Sequence, residues 1–395
     1  MANAMVLYCA VHQPLPLRLP ALPAPPGVTA ADLERCLFDT ATAEQTFSDF
    51  IVPAYAAALP ALASLAERRI PLSLAIPDGF IELVRRWGPG LLKPIRRALR
   101  APLIDAVCAE PVDGLLFAFD IQEFAERMAE ARARLAEWTG KPVVTAEVSG
   151  FCLNHELYWA LGQAGFGTVL AASERYVGTG HHPCHPSAWG DGPVLLHRLT
   201  WLSDELANRL RTGPGEPERM ADTVAGLPGE SALVTFRFDD IAFSSAGWAG
   251  ALDQLAAFAA ACERRGVDLL TASEAGARVA AEAVQSAPPT LTDDVDIGIE
   301  GLWRDGWWER LIFGRMQQAA QMTSLIPDHA MRSLGRWLLQ RANLLAPRWA
   351  VHHAERPATY WRGLWWEQPH SYDETASQVV GAFDTFIRAA AHHVA

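Results

Sequence analysis

Residues 142–170 read PVVTAEVSGFCLNHELYWALGQAGFGTVL, and the order of apolar and polar positions in this stretch decides the fold class. Val143, Val144 and Ala146 form a short apolar run that closes on Glu147. A helical pattern over 153–164 follows, and a second apolar run over 167–172 comes after Gly165-Phe166. A run too short for a helix, then apolar residues near the 3.6-residue period, then another short run is the grammar of a strand–helix–strand unit with parallel strands.

The same grammar extends in both directions. Candidate strands fall at 6–11, 71–76, 104–109, 142–148, 167–172, 194–200, 231–238 and 267–271. Helical patterns at 46–67, 79–88, 121–138, 153–164, 202–211, 247–264 and 272–283 separate them. Seven or eight such units favour a closed barrel over an open sheet. At Gln285-Ser286-Ala287-Pro288-Pro289-Thr290 the alternation stops, because tandem prolines remove backbone donors and push the preceding residue out of helical space. Beyond it only long helical patterns remain, at about 303–325, 328–345 and 373–394. The expected organisation is a barrel over 1–284, a linker over 285–300 that includes Asp293-Asp294-Val295-Asp296, and a Trp-rich helical domain over 301–395 packed on the barrel. The fold class is α/β, a (β/α)7-type distorted parallel barrel followed by a C-terminal helical domain.

At 395 residues the chain exceeds the size at which one core stops growing, which agrees with two domains. Half the residues are apolar and 20% charged, so general disorder is excluded. A formal net charge of −12 repels phosphate backbones and argues against a nucleic-acid partner. The densest basic stretch, Lys93, Arg96, Arg97 and Arg100, has the spacing of the wet face of a short helix with Ile95 and Leu99 inward. Six scattered cysteines without a C-x-x-C pair read as buried free thiols in a reducing compartment. Met1 to Leu7 lacks a basic segment followed by a long apolar one, and no run approaches 18 uninterrupted apolar residues, so a cytoplasmic protein with no membrane partner is expected. Oligomeric state is not encoded legibly.

In a parallel barrel, functional groups stand at the carboxyl ends of the strands. Polar residues that close apolar runs are therefore the candidates: His12-Gln13 after the first strand, Glu147 after the fourth, and Asp239-Asp240 after Leu233-Val234-Thr235-Phe236-Arg237-Phe238. Two carboxylates facing each other across a barrel mouth can cleave a glycosidic bond, one attacking the anomeric carbon and the other protonating the leaving oxygen. The same residues could instead cap helices or pair with arginines at the rim. His181, His182 and His185 are metal-capable, but Pro183 and Pro186 argue against a helix that would align them. Eight of the 14 tryptophans lie in the last quarter of the chain, and indole faces stack on sugars as well as filling cores. Trp303, Trp307 and Trp337 sit within helical patterns and are expected in the core. Trp361, Trp365 and Trp366 fall in a Pro/Gly-punctuated stretch with His352, His353 and His370 and remain open as ligand contacts.

Leu7-Tyr8-Cys9-Ala10-Val11-His12-Gln13-Pro14 resembles the opening strand of glycoside hydrolase family 57, whose first motif is His-Gln-Pro. Leu37-Phe38-Asp39 falls where that family has Phe-Asp, and Asp49 to Leu65 follows its next helix. Residues 142–170 are similar to the segment carrying its nucleophilic Glu. Leu195-Leu196-His197-Arg198-Leu199-Thr200-Trp201-Leu202-Ser203-Asp204-Glu205-Leu206 resembles a Leu-Leu-Arg…Leu-Ser-Asp-Asp-Ile run of the α-amylase-like branch, and Phe238 to Phe243 falls on its Asp-Tyr-Glu-Thr-Phe-Gly. Trp303 to Ala319 and Tyr372 to Ala391 look like its helical tail.

The resemblance implies an α-glucan-active glycoside hydrolase or glucanotransferase working by a retaining double displacement, with Glu147 as nucleophile and Asp239 as general acid/base. It needs no metal or organic cofactor. His12, Gln13, Asp240, His185, Trp361 and Trp365 are the substrate-binding candidates, and an oligo- or polysaccharide is the implied partner. The chain departs from the pattern where Ile241 replaces a Glu, Ser244-Ser245 replace a Gly, Pro111 to Leu115 lack the His of His-Ser-Leu, and Ala342 to Trp349 replace Ser-Asp-His-Phe-Tyr-Tyr. Two alternatives follow: a catalytically silent glucan-binding relative, or a metal-dependent polysaccharide deacetylase using Asp239 or Asp240 with His12 or His185.

Overall fold

The computed structural model describes residues 3–11, 17–18, 20–65, 67–111, 117, 120–172, 184–212, 216–237, 247–278, 282–283, 306–341 and 372–394. Ten strands are described: β1 Ala4–Ala10, β2 Leu72–Ala75, β3 Ile104–Ala109, β4 Thr145–Glu147, β5 Thr168–Ala171, β6 Ser187–Ala188, β7 Val194–His197, β8 Ser231–Arg237, β9 Asp268–Leu270 and β10 Glu282–Ala283. All eight expected strands are present. The additions are the two-residue β6 and β10, too short to leave a periodic signal; β10 falls within the 272–283 stretch expected to be helical, whose helix ends at Arg278.

The sheet is parallel except where β6 meets β7, and runs β10-β6-β7-β5-β4-β3-β2-β1-β8. It curls until β8 meets the extension of β7: Arg198 bridges Leu233 in parallel register, and the Leu199 N–H donates to the Leu233 carbonyl at 2.9 Å. This seam closes a cycle of seven strands, β1, β2, β3, β4, β5, β7 and β8, the (β/α)7-type barrel expected from the sequence. β8 pairs with β1 over its whole length, so β1's other edge is shared: β2 takes Tyr8 to Ala10 and β9 takes Ala4 to Val6.

Strand residues alternate between a wall packed under helices and a wall facing the lumen. Outward, Met5 reaches Cys262 on helix Gly247–Arg264 (Sγ–Sδ 3.9 Å), and Cys108 packs toward Met128 on helix Ile121–Thr139. Burial pushes the Cys262 and Cys184 thiols up to about 12; all six cysteines are free and five are buried as expected, whereas Cys36, near the end of helix Ala30–Leu37, is only half-buried. Inward, the register aligns Tyr8, Ser73 and Asp105 with one another, and likewise Val107, Thr145 and Thr168. The lower lumen thus carries Tyr8, Ser73, Asp105, Thr145 and Thr168 among its apolar residues, while the outer wall is mainly apolar.

The base of that lumen is filled by helix Ala272–Arg278, which touches β1, β3, β5 and β7 at once, as only an element inside the ring can do. Its amino end is satisfied from both sides. Thr271 and Glu274 form a reciprocal capping box, while Ser73 Oγ accepts from the Ala272 N–H at 2.7 Å and Asp105 from the Ser273 N–H at 3.0 Å. Gly276 lies against Thr168, and a Cβ there would collide with the Thr168 hydroxyl and methyl. Gly276→Ala is expected to destabilise the fold by about 1–3 kcal/mol through overpacking, and Thr168→Ala should recover much of the loss. Denaturant midpoints of the two single variants and the double variant check this; strict additivity would contradict it.

Asp105, enclosed beneath this helix, has its pKa raised mainly by burial, against the opposing effect of the Ser273 hydrogen bonds. The folded state therefore holds a proton that the unfolded state releases above its ordinary value of 3.8. Stability from this group is fully present below that value and is lost as pH rises through the folded pKa. Asp105→Asn keeps an acceptor for Ser273 and removes the charge. Relative to the parent it should gain melting temperature progressively from pH 3 to pH 7; a gap independent of pH would show that Asp105 pays no burial penalty.

By contacts the chain divides into two units that are not contiguous in sequence: 1–12 with 50–111 and 122–296, and 13–49 with 112–121 and 297–395. The linear division at 285–300 thus differs from the contact map, which gives 13–49 to the helical unit; most of 285–300 lies outside the described residues. Within the helical unit, Trp307–Leu325 runs along Tyr372–Val394, tied by Arg315 to Asp384 at 2.9 Å and by the Trp308 indole N–H to Asp373 at 2.7 Å. His393 meets the Val28 carbonyl at 3.0 Å beside helix Ala30–Leu37, a short element not anticipated from the sequence that buries Leu33 and Leu37. Trp337 is half-buried, but Trp307 is 63% exposed and not a core residue: it begins its helix, where the first turn extends past the packed face. Trp303 lies outside the described residues.

In the barrel unit the basic helix Leu92–Leu99 buries Ile95 and Leu99 as expected. One helical stretch, Thr40–Leu65, is long and apolar enough to cross a membrane by length and composition; its Val52–Leu65 portion buries Tyr55, Ala58, Leu59, Leu62 and Leu65 against neighbouring helices.

Candidate active site

Glu147 is the last residue of β4, and the pleat turns its side chain into the lumen at the mouth. Its register partners are Ala109 on β3 and Leu170 on β5, so the barrel wall on either side of the carboxylate is apolar. One hydrogen-bond donor comes from across the ring: Tyr8, on β1, donates its phenol O–H to Glu147 Oε2 at 3.1 Å. The Tyr8 ring is buried, edge-on to Phe151 with centroids 6.1 Å apart and planes at 83°. Phe151 follows Gly150 in the β4–helix turn, and both have left-handed backbones, φ 65° at Gly150 and φ 50° at Phe151. For a phenylalanine that conformation is strained, and it occurs here three residues after the candidate nucleophile's neighbour Val148.

On the other side of Phe151 stands Arg198, its guanidinium 5.5 Å from the ring centroid. Arg198 donates to Thr235 Oγ1 at 2.6 Å and to Asp204 at 3.1 Å, linking the seam of the barrel to the mouth. Glu110, immediately after β3, is buried and donates its backbone N–H to the Glu147 carbonyl at 3.2 Å.

Of the residues expected at the site, Glu147 is placed at the mouth. His185 is not brought to it. Its neighbour Cys184 accepts hydrogen bonds from Glu230 and from Ser231, the first residue of β8, which sets this segment at the amino-terminal end of the barrel, opposite Glu147. The residues around His185 are non-helical, as Pro183 and Pro186 imply. His12, Gln13, Asp239, Asp240, Trp361 and Trp365 lie outside the described residues. β8 does run to Arg237, level with Ala10 and two residues before Asp239. It stands three strands from β4 in the closed ring, on the far side from Glu147. Among the described residues, no group of three or more His, Cys, Asp and Glu is placed to hold a metal ion.

Tyr8, Glu110, Phe151 and Arg198 were not singled out from the sequence. Glu110 had a signal, since it closes the apolar run Ile104–Ala109 just as Glu147 closes its own. Tyr8 shares the period-2 face of Ala10 and His12, but nothing local says that a tyrosine on β1 will reach β4.

A seven-strand parallel barrel with a lumen-facing carboxylate at its mouth is the class that fold and site define. Among solved structures the chain is similar to the 4-alpha-glucanotransferase of Thermococcus litoralis (TM-score 0.64, 11% identity, covering 88% of this chain and 58% of that one). It is also similar to the family 57-type branching enzyme of Pyrococcus horikoshii (TM-score 0.57, 11% identity, 98% and 88% covered). A third is the exo-type maltose-forming amylase of Pyrococcus sp. ST04 (TM-score 0.57, 10% identity, 99% and 74% covered). At these identities the likeness is one of fold, and the chain spans little more than half the length of the glucanotransferase. No protein-family model matches the chain, and no curated protein does.

Proposed function

We propose that this protein is an α-glucan-active glycoside hydrolase or glucanotransferase of the family 57 kind, with Glu147 as nucleophile and Asp239 as general acid/base. The observation that carries the reading is the position of Glu147: a half-buried carboxylate on the lumen face at the carboxyl end of β4, in a barrel whose structural neighbours include a glucanotransferase, a branching enzyme and a maltose-forming amylase. The departure of β8 toward Asp239 from the opposite side of the ring supports the pairing.

In this reading Glu147 attacks the anomeric carbon while Asp239 passes its proton to the leaving glycosidic oxygen. Asp239 then deprotonates water, or the hydroxyl of an acceptor sugar, which displaces Glu147 and restores the original anomeric configuration. His12, Gln13 and Asp240, carried on the segments leaving β1 and β8, hold sugar hydroxyls, and Trp361 and Trp365 offer stacking faces. The test is incubation with maltooligosaccharides and with an N-acetylated glycan, each with and without chelator. Shortened or lengthened α-glucan chains insensitive to chelator support the reading. Released acetate that chelator abolishes would replace it with deacetylation, and glucan binding without turnover would replace it with a silent binding protein.

A further inference from the structure

We infer that Tyr8 is the positioning residue for Glu147: its phenol holds the carboxylate ionised and aimed into the lumen, and receives it again when it departs from a glycosyl group. The inference rests on the nucleophile reading above and extends it to a residue from another strand. Four observations carry it. The hydrogen bond crosses the ring, since β1 and β4 are separated by β2 and β3, so it is not a by-product of strand pairing. The wall residues beside Glu147, Ala109 and Leu170, have no side-chain donor to offer. The Tyr8 ring is enclosed and braced edge-on by Phe151. Phe151 is itself held in a left-handed backbone beside the Arg198 guanidinium, a conformation a phenylalanine keeps only when its surroundings impose it.

The chemistry follows from the donor's direction. A hydrogen bond to a carboxylate favours the charged form, so the phenol keeps Glu147 deprotonated as the solution is acidified. Attack on the anomeric carbon turns the carboxylate into an ester and weakens that bond. When water or an acceptor hydroxyl breaks the ester, the electron pair of the C–O bond returns to Glu147 and the hydrogen bond re-forms at full strength, which assists departure. Among the described residues, the charged groups on the elements nearest the pair are Arg198 behind Phe151, Glu110 following β3 and Asp105 lower on β3; Tyr8→Phe changes none of them and removes one oxygen, leaving the ring that packs on Phe151.

The experiment uses full-length parent, Tyr8→Phe and Glu147→Gln proteins labelled with 13C at the glutamate side-chain carboxyl. Glu147→Gln identifies the Glu147 resonance, and its pH titration is followed in the other two. In Tyr8→Phe the titration midpoint should rise by about one pH unit. With activated α-glucosides, the acid limb of kcat/KM should rise by a similar amount, and kcat and KM should fall together, about tenfold in kcat, as the glycosyl-enzyme accumulates. Unchanged midpoint and acid limb, with only a lower melting temperature, would reduce Tyr8 to a packing residue and overturn the inference. If the midpoint moves but the parent turns over no glycoside, the coupling of Tyr8 to Glu147 stands and the nucleophile reading alone falls.

Discussion

Glu147→Gln is expected to lower turnover of maltooligosaccharides by about a thousandfold or more while leaving melting temperature and glucan binding close to those of the parent. The amide is isosteric with the carboxylate, fits between Ala109 and Leu170, and can still accept from the Tyr8 hydroxyl. It cannot form the ester on which a retaining double displacement depends. Because Glu147 stands at the end of β4 and not within the packed outer wall, the substitution disturbs chemistry without disturbing the core. Progress curves on defined-length maltooligosaccharides, with binding followed by affinity electrophoresis in starch-containing gels, separate the two effects. A variant as active as the parent would remove Glu147 from the mechanism.

Asp239→Asn carries the second large effect, and its size should depend on the substrate. A general acid contributes about 10²–10⁴-fold when the leaving oxygen must be protonated, and little when the leaving group is already a stable anion. The variant should therefore fall by that range on maltooligosaccharides but much less on activated aryl α-glucosides, where the glycosyl-enzyme forms readily and its breakdown limits the rate. Added azide, which needs no base to attack, should restore turnover of the aryl substrate as an α-glycosyl azide if the configuration is retained. Equal losses on both substrate types would reassign the acid/base role.

Residues 142–170 and their counterparts specified by themselves what lies within one strand–helix unit. Eight strands were readable because a strand buried on both faces is a run of Val, Ile, Leu and Ala bounded by turns, and helices of ten or more residues carry their own period. Glu147 was readable for the same reason, as the carboxylate that ends such a run.

Tertiary structure alone decided what depends on distant pairs: the seam from Arg198 and Leu199 to Leu233, the second seat on β1 taken by β9, the helix at 272–278 used as the floor of the lumen, and the grouping of 13–49 with the helical unit. The hydrogen bond from Tyr8 to Glu147 spans 139 positions. Its existence depends on how many strands close the ring and how far β1 is staggered against β4, quantities set by all the strands together. That is why the nucleophile candidate could be read from one short segment while the tyrosine that faces it could not.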